Sequence, residues 1–221
     1  KLRPRVRGRM GTPPAYETTL GNRKGRGEPD AEDVTMAELG AAIYVVTERD
    51  NAASTISRPS ILRYDTTGAG AELVATHEWN LAADLPVLGP NVGLEAITWI
   101  PDSFLVAVGF RDSTAALYNP ASHPNHGTGL FFVGVEQNGV IYAYALDHAS
   151  AGFVRVTSFA RGDVTSKALS FDRDTGYLWQ HCGAPCGGQS RVLSVVGGVF
   201  AQLRQFDRPT TMANLANEGI A

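Results

Sequence analysis

The sequence predicts an all-β fold, a β-propeller of four-stranded antiparallel blades, with about three blades and the start of a fourth in this chain. Three observations lead there. Helical periodicity is scarce along the 221 residues. Short runs rich in Val, Ile, Tyr, Phe and Trp alternate with Gly, Pro, Asn and Asp, the pattern of strands joined by turns. One phrase, a Glu leading into an apolar strand, recurs along the chain.

The expected strands run in the order "AIYVVTER", "SILRYD", "ELVATHEWNL", "EAITWIP", "FLVAVGF", "GLFFVGVEQ", "VIYAYALD", "FVRVTSFA", "KALSFD", "GYLWQHC", "RVLSVVGG" and "VFAQLRQFD". Asn138-Gly139, between two of them, is a two-residue hairpin signal. The recurring phrase sets the register. "AEDVTMAELGAAIYVVTERD" (31–50) aligns with "LEAITWIPDSFLVAVGFRD" (94–112), with one extra residue in the first copy. Glu32 falls on Glu95, Val34 on Ile97, Thr35 on Thr98, and Arg49-Asp50 on Arg111-Asp112. A weaker copy, "SKALSFDRDTGYLWQHC" (166–182), carries Lys167 in place of the Glu, and a last one opens at Glu218. The spacings are 63, 72 and 51 residues, the size of a four-stranded blade with variable loops. Blades are therefore expected at about 30–88, 89–162 and 163–212, with a further one starting at 213–221. A jelly roll or sandwich is the alternative, but it leaves the repeated phrase unexplained.

A hydrophobic content of 43% is that of a globular chain. Residues 1–27 hold eight Lys/Arg against one acid, Glu17, so a basic segment (1–29) precedes an acidic remainder. Charge alone suits such an arm to nucleic acid or an anionic substrate. No aromatic interleaving or binding motif accompanies it, so a solvated Gly/Pro-rich loop is expected, with no nucleic-acid partner. No run is long and apolar enough for a membrane span, and the N-terminus lacks the apolar stretch of a signal peptide. The chain begins with Lys and stops within a repeat, so it reads as a piece of a longer polypeptide, monomeric when full length.

In a propeller the first strand of each blade lines the central channel. The start of that strand and the end of the next share one face of the disc. Glu32, Glu95 and Glu218 are thus expected at the channel mouth, with Asp50 and Asp112 one strand further out. Converging carboxylates repel unless a cation or basic partner sits among them. Calcium, which takes six to eight oxygen ligands, suits such a ring. The competing reading makes each Glu a cap for backbone amides of the adjacent blade. Arg49 and Arg111 are either local ion-pair partners or bidentate donors to a phosphate or carboxylate.

"AEDVT", "LEAIT" and "NEGIA" at strand starts, with "VVTERDN" closing another strand and "GTPPAYETTLGNRKGRGEPDAEDV" (11–34) ahead of the first motif, resemble the bacterial phytase-like propeller family, described as having esterase-like activity of phytase. The resemblance spans most of the chain, although each motif is short and shared with other six-bladed propellers, lactonase-like ones included. It implies a secreted or periplasmic, calcium-supported propeller that hydrolyses a phosphate or carboxylic ester. Lys167 departs from the pattern, so the third blade is expected to give no ligand.

Other candidates are weaker. Cys182 and Cys186, in "HCGAPCGG", are not spaced as a C-x-x-C redox motif. A small disulfide loop, two free thiols and a zinc site with His181 are all open readings. His123 and His126 lie on a Pro/Gly-rich loop expected to be solvated, while His77 and His148 stand alone near strand ends. Trp79, Trp99 and Trp179 are expected to pack between blades. No G-x-S-x-G elbow or P-loop is present. The leading expectation is a calcium-assisted ester hydrolase with an anionic small-molecule substrate. Glu95, Arg49 and Arg111 act on the substrate, and Glu32, Glu95, Glu218, Asp50 and Asp112 surround the metal. The alternative is a non-catalytic exported propeller that binds or scaffolds.

Overall fold

A computed structural model describes residues 28–37, 42–67, 73–160, 162 and 165–215. Glu218, the basic stretch 1–27 and residues 216–221 of the expected further blade lie outside the described residues, while Ala213–Leu215 belong to no strand.

Among the described residues, twelve strands form three separate four-stranded antiparallel sheets. The first sheet holds β1 (Pro29–Met36), β2 (Ala42–Asp50), β3 (Ser57–Asp65) and β4 (Ala75–Asn80). The second holds β5 (Leu94–Pro101), β6 (Gly129–Val135), β7 (Ile141–Leu146) and β8 (Phe153–Phe159). The third holds β9 (Ala168–Asp172), β10 (Tyr177–His181), β11 (Ser190–Val196) and β12 (Val199–Phe206). Strand order within each sheet follows the chain, so every sheet is a meander. The leading strand β5 packs between β1 and β9. This is propeller architecture: stacked blades with their first strands innermost.

The alternation of side chains on β5 explains the stacking. Ile97 and Trp99 join Tyr44, Val46, Ile61 and Trp79 of the first blade in one core cluster. Ala96 and Ile100 join Leu169, Leu178, Leu193 and Phe200 of the third blade in another. The middle blade is thus covered on both faces, and β5, β6 and β7 are buried along almost their whole lengths. Each fully buried Leu, Ile or Phe contributes about 1.5–3 kcal/mol relative to exposure, so apolar packing carries most of the adhesion between blades. Trp79 and Trp99 lie in the first interface. Trp179 instead stacks on Phe206 at 5.7 Å, beside β12 with its exposed Leu203.

Two local expectations change. The run "FLVAVGF" is not a strand. It forms α1 (Asp102–Ala107) and its exit, where Val108 N–H reaches Phe104 O and Gly109 turns the chain at φ +65°. A short apolar run satisfies a helix or a strand equally, and here Asp102 and Ser103 favour a first helical turn. The connection that follows braces two blades: Arg111 N–H donates to Gly198 O in the β11–β12 turn, and Phe110 packs on Phe200. The Asn138-Gly139 turn is also longer than two residues. Val135 pairs with Val140 across Glu136–Gly139, and Asn138 Oδ1 accepts from Val140 N–H.

Candidate functional site

Because inner strands run in one direction and their neighbours in the other, one end of the arc collects the start of β5, the end of β2, the end of β6 and the approach to β9. Those positions hold Glu95, Glu48, Glu136 and Lys167. Carboxylate oxygens of Glu48, Glu95 and Glu136 lie within 4.8 Å of one another. Lys167 Nζ stands among them, 2.9 Å from Glu95 Oε1 and 2.6 Å from Glu136 Oε1. The residue that breaks the repeated phrase is therefore the basic partner of the carboxylate that exemplifies it. Glu48, buried at 1% exposure, accepts from Gly93 N–H at 2.6 Å. Asp33 on β1 accepts from Ile97 N–H of β5 at 2.8 Å and from Val34 N–H at 2.8 Å.

Burial drives the electrostatics. It raises Asp33 to about 6, against the opposing effect of its two backbone N–H bonds. It raises Glu48 to about 7, with the Gly93 N–H opposing and the charges of Glu136 and Asp30 adding to the rise. It raises Glu95 to about 9, helped by a hydrogen bond with Glu136 and opposed by Lys167. Burial works against the Lys167 charge, but the hydrogen bonds it donates to Glu136 and Glu95, with their charges, outweigh it and hold the ammonium above its ordinary value. Lys167 thus bridges Glu136 and a Glu95 carboxyl that burial holds well above the ordinary carboxylate range.

A second acidic group, Asp30, Glu32 and Glu48, adjoins the first. It too has an internal base: Arg49 contacts Asp30 at 2.7 Å and donates to Pro90 O at 2.9 Å and Asn91 Oδ1 at 2.6 Å. Asp50 accepts from Glu28 N–H and Ala52 N–H and caps the short 3-10 turn after β2. Glu32, Glu95 and Asp50 thus share one end of the arc. Arg111 and Asp112 do not join them. They follow α1 at the opposite end of β5, where Asp112 caps Thr114 and Ala116 N–H and Arg111 donates to Ala115 O. Their alignment with Arg49-Asp50 assumed a strand that is a helix.

Sequence reading missed Glu136, outside the aligned copies, and Asp33 and Glu48, which lie within the first copy without an acidic counterpart in the second. It also missed how His126 is held. His126 is buried, 2.9 Å from Asp102 Oδ2 and 3.2 Å from Tyr118 Oη, because α1 brings Asp102 under the loop. Cys182 and Cys186 are bonded to each other. Among the described residues no helix is long and apolar enough to cross a membrane.

No family model matches the chain, and no curated protein matches it. Among solved structures it is similar to the Chaetomium thermophilum Sqt1, with 12% identity and a TM-score of 0.45 over 83% of this chain and 37% of that one. It is also similar to a chain of a mitotic checkpoint complex, with 11% identity and a TM-score of 0.39 over 82% of this chain and 53% of that one. The chain therefore spans 37% and 53% of the lengths of these two structures.

Proposed function

We propose that this protein is a non-catalytic propeller module that binds or scaffolds. The observation that carries this reading is the use of the clustered carboxylates. Asp33 and Glu48 tie the first blade to Ile97 and Gly93 of the second, and Glu95 and Glu136 tie the second blade to Lys167 at the third. Each of these carboxylates is occupied in a contact between blades, which supports a structural use for them. The Cys182–Cys186 bond suits an oxidising compartment and supports an exported setting.

Calcium-assisted ester hydrolysis makes the opposite prediction for the same residues. The purified protein is expected to turn over neither 4-nitrophenyl acetate nor 4-nitrophenyl phosphate above a heat-denatured control, with calcium or with chelator. Calorimetric titration of calcium is expected to give no saturable heat, because Lys167 and Arg49 already supply the positive charge. Turnover that Glu95→Gln abolishes without loss of fold would overturn the proposal.

A further inference from the structure

At the end of the arc opposite the carboxylates, a cleft of about 690 Å³ opens between the first two blades. That is within the roughly 300–1,000 Å³ of small-molecule sites. Its walls include the rings of Tyr44, Trp99 and Phe131, and its polar groups include Arg63, His77 and His148. No Asp or Glu is among its described lining residues. The guanidinium of Arg63 donates to Thr76 Oγ1 at 2.9 Å and meets no carboxylate in an ion pair among the described residues. Asp65, two residues along the strand, is held by Thr67. A second guanidinium, that of Arg173 from the third blade, sits 5.0 Å over the Trp99 ring.

The imidazoles are fixed in place. His148 Nδ1 donates to Asn125 O at 2.9 Å, which leaves Nε2 to accept from Tyr44 Oη at 2.8 Å in the neutral ring. His77 Nε2 donates to His148 O at 3.0 Å, and its ring stacks on Trp79 at 5.3 Å. The cleft is thus bordered by a guanidinium and by imidazoles held through hydrogen bonds within the fold.

We infer that this cleft binds a small planar aromatic carboxylate, its ring against Tyr44, Trp99 and Phe131 and its carboxylate on Arg63. Guanidinium and carboxylate match as bidentate partners, and an aromatic ring gains from leaving water for an apolar wall. The inference rests on the reading of the protein as a binding module. Its failure is distinguishable, because a carboxylate probe is not an ester and its binding is read without turnover.

The test titrates 2-naphthoate and its neutral counterpart, 2-naphthalenemethanol, into the protein, with ligand-observed NMR and tryptophan fluorescence as readouts. Saturable naphthoate binding is expected, about tenfold or more tighter than that of the alcohol. Arg63→Gln is expected to remove that preference and leave alcohol binding unchanged. Glu95→Gln, at the far end, is expected to change neither affinity. Equal affinity for acid and alcohol, unchanged naphthoate binding to Arg63→Gln, or no saturable binding to the folded protein each overturns the inference.

Discussion

The two ends of the inner strands are built from the same three blades and use charge in opposite ways. At one end, Asp33, Glu48, Glu95 and Glu136 each meet a group across a blade boundary, and Lys167 closes the set. At the other, Arg63 borders an aromatic cleft with no carboxylate among its described lining residues. A buried charge answered by a neighbour within the fold acts on stability and register. A cation at a cavity, with donors beyond its bond to Thr76, acts on whatever enters. The repeated Glu drew attention to the first end, while the second has the geometry of a ligand site.

The largest effect expected from this contrast follows from Lys167→Met. Removing the ammonium leaves Glu95, Glu136 and Glu48 facing one another without their cation, and breaking a buried pair in this way costs about 3–5 kcal/mol. Chemical denaturation is the measurement. Arg63→Gln at the other end is expected to leave the midpoint unchanged, since its side chain meets the exposed Thr76 by a hydrogen bond and the exposed Asp65 only through charge. Equal losses from the two variants would erase the distinction between a structural and a binding end.

Much of this was legible in the sequence, for reasons tied to particular residues. Strands rich in Val, Ile, Tyr and Phe, and the spacing from Glu32 to Glu95 to Lys167, gave the blade repeat, because each inner strand must present the same alternation to both neighbours. "FLVAVGF" was misread because seven apolar residues carry no period that separates helix from strand. That error moved Asp112 and Arg111 to the wrong end. Glu48 and Glu136 were passed over because they enter the cluster from the ends of second strands, and Glu48, though inside the aligned stretch 31–50, has no acidic counterpart in the second copy. The cleft was equally hidden: Arg63, His77, Trp99 and His148 come from four separate elements or turns, and only blade stacking brings them together.

A smaller effect appears with pH. Asp33, Glu48 and Glu95 are raised above their unfolded values, so each favours the folded state fully only below about pH 4, and that contribution fades as pH climbs through about 6, 7 and 9. Burial lowers His123 and His181, which act in the opposite sense only up to about 6.5. Asp65, Asp112, Asp147 and Asp172, lowered by local hydrogen bonds, matter only in acid. From about pH 7 to about pH 9 the raised carboxylates dominate, and the melting temperature is expected to fall. Glu95→Gln is expected to flatten most of that slope. A melting temperature that rises with pH across the window, or a slope unchanged in the variant, would show that Glu95 is ionised throughout.

The smallest effect separates charge from hydrogen bonding at the structural end. Asp33 meets Ile97 N–H through one oxygen and Val34 N–H through the other. Asp33→Asn keeps an acceptor for Ile97 and removes a carboxylate whose burial disfavours its ionised form. The exposed Val34 bond is lost, and the net change is expected to be under about 1 kcal/mol. Asp33→Ala leaves the Ile97 N–H without its partner between the blades, which costs about 1–3 kcal/mol. Thermal unfolding of the two variants side by side reads the difference. An Asn variant as damaged as the Ala variant would mean that β5 needs the negative charge of Asp33, placing this residue with charged groups such as Lys167 rather than with backbone caps.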